Sequence, residues 1–454
     1  MFDLVLAGGT LVDPALGEYR ADIAVRDGRI AAILAPGTPH EARETVPVDG
    51  LHVFPGGIDP HTHIGYAGTF AEDVETESRS AAVGGITTVI SFHRHYKSAT
   101  PTPYDDLPEL IAAVEERAYI DMSLHLGILT GAQAAEIEKY IAQGISSFKF
   151  YMAYRGEDGK TVGMINEIDD GIMFDSFEVI GRHPHAVACV HCENTDIIGR
   201  FVARARAAGL DGLVAWNAAR PSFAEAEHVR RAGYFAERAG CRLYYVHIGD
   251  RDGLEEALLQ QLRYDGLTIE TCIHYLTHTE LSDVGNLGKV NPPLRAPEDL
   301  ERVWEGLIAG EIEVVGTDHC AVSAAQKQGT IWQAASGFPG MATIFTVMLS
   351  EGHHKRGMSL QRIAQVTSQA AAKQFNLHPR KGSLSVGADA DLAVIDINRE
   401  KTVRAADLLS VSDFSLYDGT TMKGWPVRTY SRGTLVAHDG NIIGKPGWGN
   451  FLRR

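Results

Sequence analysis

Phe54-Pro55-Gly56-Gly57-Ile58-Asp59-Pro60-His61-Thr62-His63 is an apolar, glycine-marked run that closes on two histidines. Read as a strand, it alternates its side chains between two faces, so His61 and His63 share a face and emerge together at its C-terminal end. Seven further runs end in polar chemistry: Ile86 to His93, Ile120 to Ile128, Ile145 to Tyr154, Ala186 to Glu193, Arg242 to Asp250, Leu267 to Tyr275 and Ile312 to His319. Amphipathic stretches such as Leu107 to Arg117, Phe223 to Ala239 and Leu254 to Arg263 lie between them. Strands alternating with helices build a parallel sheet, and eight such units close into a TIM (β/α)8 barrel of the α/β class. The chemistry of such a barrel gathers where its strands end.

The two ends of the chain read differently. Asp3 to Ala7, Thr10 to Asp13, Asp22 to Val25 and Arg29 to Leu34 are short strands broken by Gly8-Gly9 and Arg26-Asp27-Gly28. The same texture returns in Ala390 to Asp396, Val427 to Arg432, Thr434 to His438 and Asn441 to Gly444. A small β-sandwich formed by both termini is therefore expected, from residues 1–52 and 379–454, around a barrel of residues 53–378.

At 454 residues, with 44% hydrophobic and 22% charged side chains, the chain suits a large barrel plus an appended module and excludes fibrous or disordered classes. The net charge of -16 excludes a nucleic-acid partner, since phosphate binding needs a concentrated basic face, and favours a small-molecule substrate. The first nine residues lack a basic leader, and no apolar stretch is long enough to span a membrane, so a cytoplasmic protein with no membrane partner is expected. Cys189, Cys192, Cys241, Cys272 and Cys320 read as reduced, buried thiols.

His191 closes the fifth run, His247 the sixth and Asp318 the eighth. Four strands thus place His or Asp at one level of the barrel, which is the donor set of a metal centre. Lys149 interrupts the aromatic run Ser146 to Tyr154, and an ammonium inside a barrel is costly to desolvate and cannot ligate a cation. Reaction with carbon dioxide would turn it into a carbamate whose two oxygens can bridge two metals. The alternative is a lysine meeting a substrate anion as a point charge.

These motifs resemble the hydantoinase and dihydropyrimidinase branch of the amidohydrolase superfamily over nearly the whole chain. The features that carry it are Gly-Gly-Ile-Asp-Pro-His61-Thr-His63, Ser-Phe-Lys149 through Met-Ala-Tyr154, Val-His191-Cys-Glu-Asn, His247, Pro292-Pro293-Leu294-Arg295, and Asp318-His319-Cys320. In the tail they are Pro379-Arg380-Lys381-Gly382, Val386 to Leu392, and Gly433. The resemblance implies one metal on His61, His63 and Asp318 and another on His191 and His247, with carboxylated Lys149 between them. Zinc is the implied ion, with manganese or cobalt also suited to N/O ligands. A hydroxide bridging the pair is a nucleophile near neutral pH. Asp318 would carry its proton to the departing ring nitrogen, and Tyr154 would donate to the developing oxyanion. Asn291, Ser336 and Gly337 would hold the amide edge of the ring.

Ile64 to Phe70 is expected to form a mobile loop bringing Tyr66 and Phe70 over the pocket, and His93, ending the second run, to reach the ring. His274 reads as pocket lining. Val290-Asn291-Pro292-Pro293 and Gly337-Phe338-Pro339-Gly340 look more like dihydroorotases or allantoinases, yet Gly65 stands where those enzymes carry a substrate-gripping arginine. The leading expectation is hydrolysis of a hydantoin, dihydropyrimidine or related imide to an N-carbamoyl amino acid or similar product. The alternatives are a dihydroorotase-like or allantoinase-like hydrolase, and a non-catalytic assembly protein resembling the collapsin response mediator proteins. The family also implies a homotetramer or dimer, with the segment Lys445 to Arg454 against a neighbour.

Overall fold

Eight parallel strands follow one another around a closed barrel in the computed structural model, which describes residues 1–95, 102–154 and 166–454. They are β1 (Gly57–His63), β2 (Ile86–His93), β3 (Asp121–Ile128), β4 (Ser147–Tyr151), β5 (Val187–His191), β6 (Leu243–Tyr245), β7 (Leu267–Cys272) and β8. The last is split into Val314–Gly316, paired with β7, and His319–Cys320, paired with β1, so one run of chain closes the ring. The break falls at Asp318, whose φ of 50° is left-handed and cannot continue a strand. β6 is shorter than its run for the same reason, because His247 has a φ of 47°.

The first run is two strands rather than one. His52–Pro55 pairs with Leu392–Ile395 in a seven-stranded sheet, and only Gly57–His63 joins the barrel. Gly56 makes the crossing because a Cβ there would lie 2.2 Å from the Thr87 Oγ1 of β2. The seven-stranded sheet interleaves N-terminal strands with Leu392–Thr402, Thr421–Ser431, Thr434–His438 and Asn441–Ile442. A four-stranded sheet of Phe2–Ala7, Asp22–Arg26, Arg29–Leu34 and Ala42–Pro47 packs on it through Leu6, Ile23, Val53 and Val394. The two ends therefore build the sandwich together.

The end of the tail packs on the chain's own barrel. Leu452 N–H donates to Met122 O at 2.7 Å, Met122 N–H donates to Asn450 O at 3.0 Å, and the Arg454 guanidinium reaches Leu124 O at 2.6 Å. Phe451 and Leu452 are buried against the chain's own β3, where they close the underside of the barrel. All five cysteines are buried free thiols, and no helix among the described residues is long and apolar enough to cross a membrane.

Barrel and sandwich are joined by a buried charge cluster. Lys381 Nζ lies 2.5 Å from Asp121 at the start of β3, 2.6 Å from Asp391 and 3.0 Å from Asp389, and Arg432 also pairs with Asp121. A buried cation shared by three carboxylates is far costlier to remove than to keep, because the carboxylates stay behind. Lys381→Met should lower unfolding free energy by about 3–5 kcal/mol in denaturant titrations, whereas Lys139→Met, which removes exposed pairs with Glu136 and Asp105, should leave the denaturation midpoint nearly unchanged.

Candidate metal centre and its pocket

Alternation along β1 brings His61 and His63 up on one side, as their spacing requires. The same Asp318 oxygen lies 3.1 Å from His61 Nε2 and 3.0 Å from His63 Nε2. His61 turns its other nitrogen to Glu270 in β7, donating Nδ1–H to Oε2 at 2.7 Å, and the same oxygen accepts His247 N–H at 2.9 Å. Gly316 of β8 leaves room for this, since a Cβ there would meet Glu270 Oε1 at 2.2 Å.

Across the mouth, His247 Nε2 and His191 Nδ1 face each other at 2.9 Å. His191 is oriented from behind by Glu193 at 2.7 Å, and Arg220 grips Glu193 through two contacts of 2.9 and 2.6 Å. His247 Nδ1 is buried without a hydrogen-bond partner. Burial lowers His63 and His191 to about 4 and His247 well below its usual range, so all three are neutral imidazoles with available lone pairs. At His61 burial works against charge, but Glu270 and Asp318 overcome it and lift the ring to about 9.

Lys149 rises between the two groups from β4, 1% exposed. Its Nζ lies 4.3 Å from the centre of the Phe92 ring and 5.4 Å from that of Tyr151, and its charge is felt by His63, His191 and His247. Desolvation lowers the amine to about 8, which brings its neutral, nucleophilic form within reach of ordinary pH. Imidazoles turned toward one carboxylate and one buried amine fit a pair of divalent cations: the donors are nitrogen and oxygen only, and His61, His63 and Asp318 offer atoms all within 4.8 Å of one another.

Above this cluster a cavity open to solvent is lined by His63, Tyr66, Arg94, Tyr151, Tyr154, Val290, Asn291, Asp318, Cys320, Ser336 and Gly337. Tyr154 OH accepts from Asn291 Nδ2 at 3.2 Å, and burial keeps the phenol protonated. Trp216 donates to Val290 O and Tyr275 to Pro292 O, bracing the loop that presents Asn291. Gly337 N–H donates to Lys289 O at 2.9 Å, which holds the Ser336–Gly337 turn against that loop.

Other predicted residues lie elsewhere. His93 points to the outer face of β2, against Phe70 at 5.0 Å and Tyr104 at 5.9 Å between ring centres, because Phe92 and Arg94 take the inner positions. Phe70 opens the helix Phe70–Val83 behind a Thr69 capping box and is absent from the cavity lining. The loop before it is pinned rather than loose: Asp73 accepts the N–H groups of Gly65, Ala67 and Gly68 at 3.0, 3.0 and 2.9 Å. His274 packs between Tyr275 and Phe338, and His319 turns away to Glu77 at 2.9 Å. Sequence reasoning missed Glu270, Glu193, Arg220 and Arg94. Glu270 carried the same signal as Lys149, a charge inside an apolar strand, and Arg94 sits two residues beyond Phe92 on the inward register. A guanidinium is therefore present in the pocket, supplied after β2 instead of after β1.

Residues 236–436 match the family described as the amidohydrolase family. Over the whole chain the sequence is 35% identical to the L-hydantoinase of Paenarthrobacter aurescens, covering 98% of that protein, and 35% identical to the allantoinase of Solibacter usitatus (strain Ellin6076), covering 97% of it. The solved L-hydantoinase (dihydropyrimidinase) from Arthrobacter aurescens superposes over 100% of both chains with a TM-score of 0.91 at 33% identity. A solved D-hydantoinase superposes over 100% of this chain and 99% of its own with a TM-score of 0.90 at 30% identity. With matched length, matched fold and a barrel-mouth donor set, the chain belongs to the hydantoinase and dihydropyrimidinase branch of the amidohydrolase family.

Proposed function

We propose that this protein is a metal-dependent hydrolase that opens a cyclic amide, a hydantoin, dihydropyrimidine or related imide, at a ring C–N bond to give an N-carbamoyl amino acid or similar product. The observation that carries this reading is Lys149: a lysine buried beside two aromatic rings, within the field of three neutral histidines and Asp318, is best explained by conversion to a carbamate. Carbamate formation uses the neutral amine, loses one proton and replaces an awkward buried cation by an anion that suits a cation pair. His61, His63 and Asp318 would hold one divalent ion and His191 and His247 the other, with carboxylated Lys149 between them. Zinc is the proposed ion, and manganese or cobalt would suit the same thiolate-free donors. When bound, such a pair polarises a carbonyl and makes water acidic near neutral pH.

The chain's own residues do the rest. Asp318 stands at the pocket wall, where a carboxylate can take a proton from water and return it to the departing ring nitrogen, which cannot leave as an anion. Tyr154, held protonated and oriented by Asn291, is placed to donate to the oxygen that gains charge. Asn291 and the Ser336–Gly337 turn offer amide groups to the flat edge of the ring, and Tyr66 also lines the pocket. Glu270 and Arg220-backed Glu193 keep His61 and His191 turned toward the mouth. Five buried thiols suit a reducing, cytoplasmic setting. An allantoinase-like substrate is the second reading, favoured by Asn291 and by the similarity to a named allantoinase.

A panel of hydantoin, dihydrouracil, allantoin and dihydroorotate, run on metal-loaded protein with metal content measured in parallel, tests this reading. Ring opening of at least one, lost on chelation and restored by zinc, manganese or cobalt, is the expected result. No turnover by fully loaded protein would sink it. Lys149→Met should reduce bound metal from about two equivalents per chain and lower kcat by ~10³-fold or more. Tyr154→Phe should keep the metal yet lower kcat by ~10²- to 10³-fold, the worth of one oxyanion donor.

A further inference from the structure

Among the described residues, four groups bring three metal-ligating side chains close enough to share one ion. Two of them, His61 with His63 and Asp318 and His61 with Glu270 and Cys272, belong to the centre at the barrel mouth. A third, Asp121 with Asp389 and Asp391, already encloses the Lys381 ammonium. The fourth, His93 with His95 and Asp106, has no task in the hydrolysis proposed above.

This fourth group is assembled much as the barrel-mouth group is. His93 and His95 repeat the spacing of His61 and His63, at the end of β2 instead of β1, and alternation sends both rings away from the pocket that Arg94 lines. His95 Nε2 lies 3.1 and 3.3 Å from the two Asp106 oxygens, as the shared Asp318 oxygen lies 3.1 and 3.0 Å from His61 and His63. Donors ~2.0–2.1 Å from a tetrahedral zinc stand about 3.3 Å from one another, so little movement is needed to seat an ion. The His93 ring stands at 88° to that of His95 with centres 5.9 Å apart, and one donor atom from each lies within 4.8 Å of the other and of Asp106.

A simple pair of His95 with Asp106 does not explain the third ring. Nor does it explain Asp106 itself, which stands at the N-cap of the helix Leu107–Arg117, where an aspartate ordinarily accepts a backbone N–H of the first turn. Its side chain makes no such bond and is given to the histidine instead. Tyr104 packs against both imidazoles, with ring centres 5.9 Å from His93 and 4.8 Å from His95, and its hydroxyl donates to Gly127 O in β3. The floor of the group is thus rigid, while side-chain exposures of 17% for His95 and 37% for Asp106 leave an approach from solvent.

We propose that His93, His95 and Asp106 bind a further divalent cation of the zinc class, separate from the barrel-mouth centre, which ties the end of β2 to the start of the helix Leu107–Arg117. Two imidazoles and one carboxylate prefer zinc, cobalt or nickel to magnesium or calcium, and water completes the coordination. None of the three side chains lines the reaction pocket, so the ion is a structural clasp and takes no part in ring opening.

The test is equilibrium dialysis of the intact protein against a fixed, low concentration of free zinc, with bound metal counted per chain in wild type, His95→Ala, Asp106→Asn and His185→Ala. His185 forms with His183 a surface pair whose ring centres are also 5.9 Å apart, and it controls for incidental binding. Wild type should hold about one zinc per chain more than His95→Ala or Asp106→Asn, and His185→Ala should match wild type. Circular dichroism should be unchanged in His95→Ala, and its ring-opening rate should stay within about twofold of wild type. Equal zinc in wild type and His95→Ala would overturn the proposal, as would loss of the extra ion in His185→Ala instead. A His95→Ala variant that loses ring opening together with the ion places that ion at the barrel mouth and overturns it too. Failure of wild type to open any ring refutes the hydrolase reading alone, because the zinc difference between wild type and His95→Ala reads this site by itself.

Discussion

A single carboxylate inside the barrel governs how the site is held. Glu270 is fully buried in β7, where each donor that reaches its carboxyl group is worth more than it would be in water. One oxygen takes the His61 ring N–H from β1 and the His247 backbone N–H from just past β6. Three segments of the barrel wall are thereby fixed to one another by groups that would each be costly to leave unsatisfied. The tautomer of His61 follows: with Nδ1 committed to Glu270, Nε2 is left facing Asp318. Glu193 performs the corresponding task for His191, and Arg220 neutralises it from behind. The ligands are therefore aimed before any ion arrives, and their aim depends on side chains that never meet substrate.

The same logic accounts for the irregular backbone. His247 and Asp318 both adopt left-handed φ values, of 47° and 50°, which a regular strand does not use. Such conformations cost of order 1–3 kcal/mol each and persist only where neighbours hold them. Here the Glu270 contact fixes one, and the two histidines of β1 face the other.

What could be read from the amino-acid order was whatever obeyed a period. β1 through β5 and the helix Leu107–Arg117 followed their apolar spacing, because burial on one or both faces writes itself into the sequence. Gly17–Arg20 and Ala42–Pro47 escaped notice because edge strands with exposed side chains carry no such record. The split at Gly56 was hidden for another reason: one continuous apolar run serves two sheets, and only a clash with Thr87 in three dimensions shows where it changes allegiance. Residues that converge on the donor cluster announced themselves by chemical type. Those that orient them did not, since Glu193 and Arg220 acquire meaning only from each other across 27 positions. His93 ends its strand on the outer face, and the alternation gives Arg94 the inward seat.

The lattice of contacts between distant parts of the chain also constrains how the molecule is made. β3 is bridged from below by residues 450–454, and the first strands of the sandwich lie in a sheet whose middle is Leu392–Thr402 and Thr421–Ser431. The strands before residue 55 can complete their sheet only once residues 392–442 have been made, so their apolar faces stay uncovered while the intervening barrel is synthesised. Those early segments depend on whatever shields them in the interval.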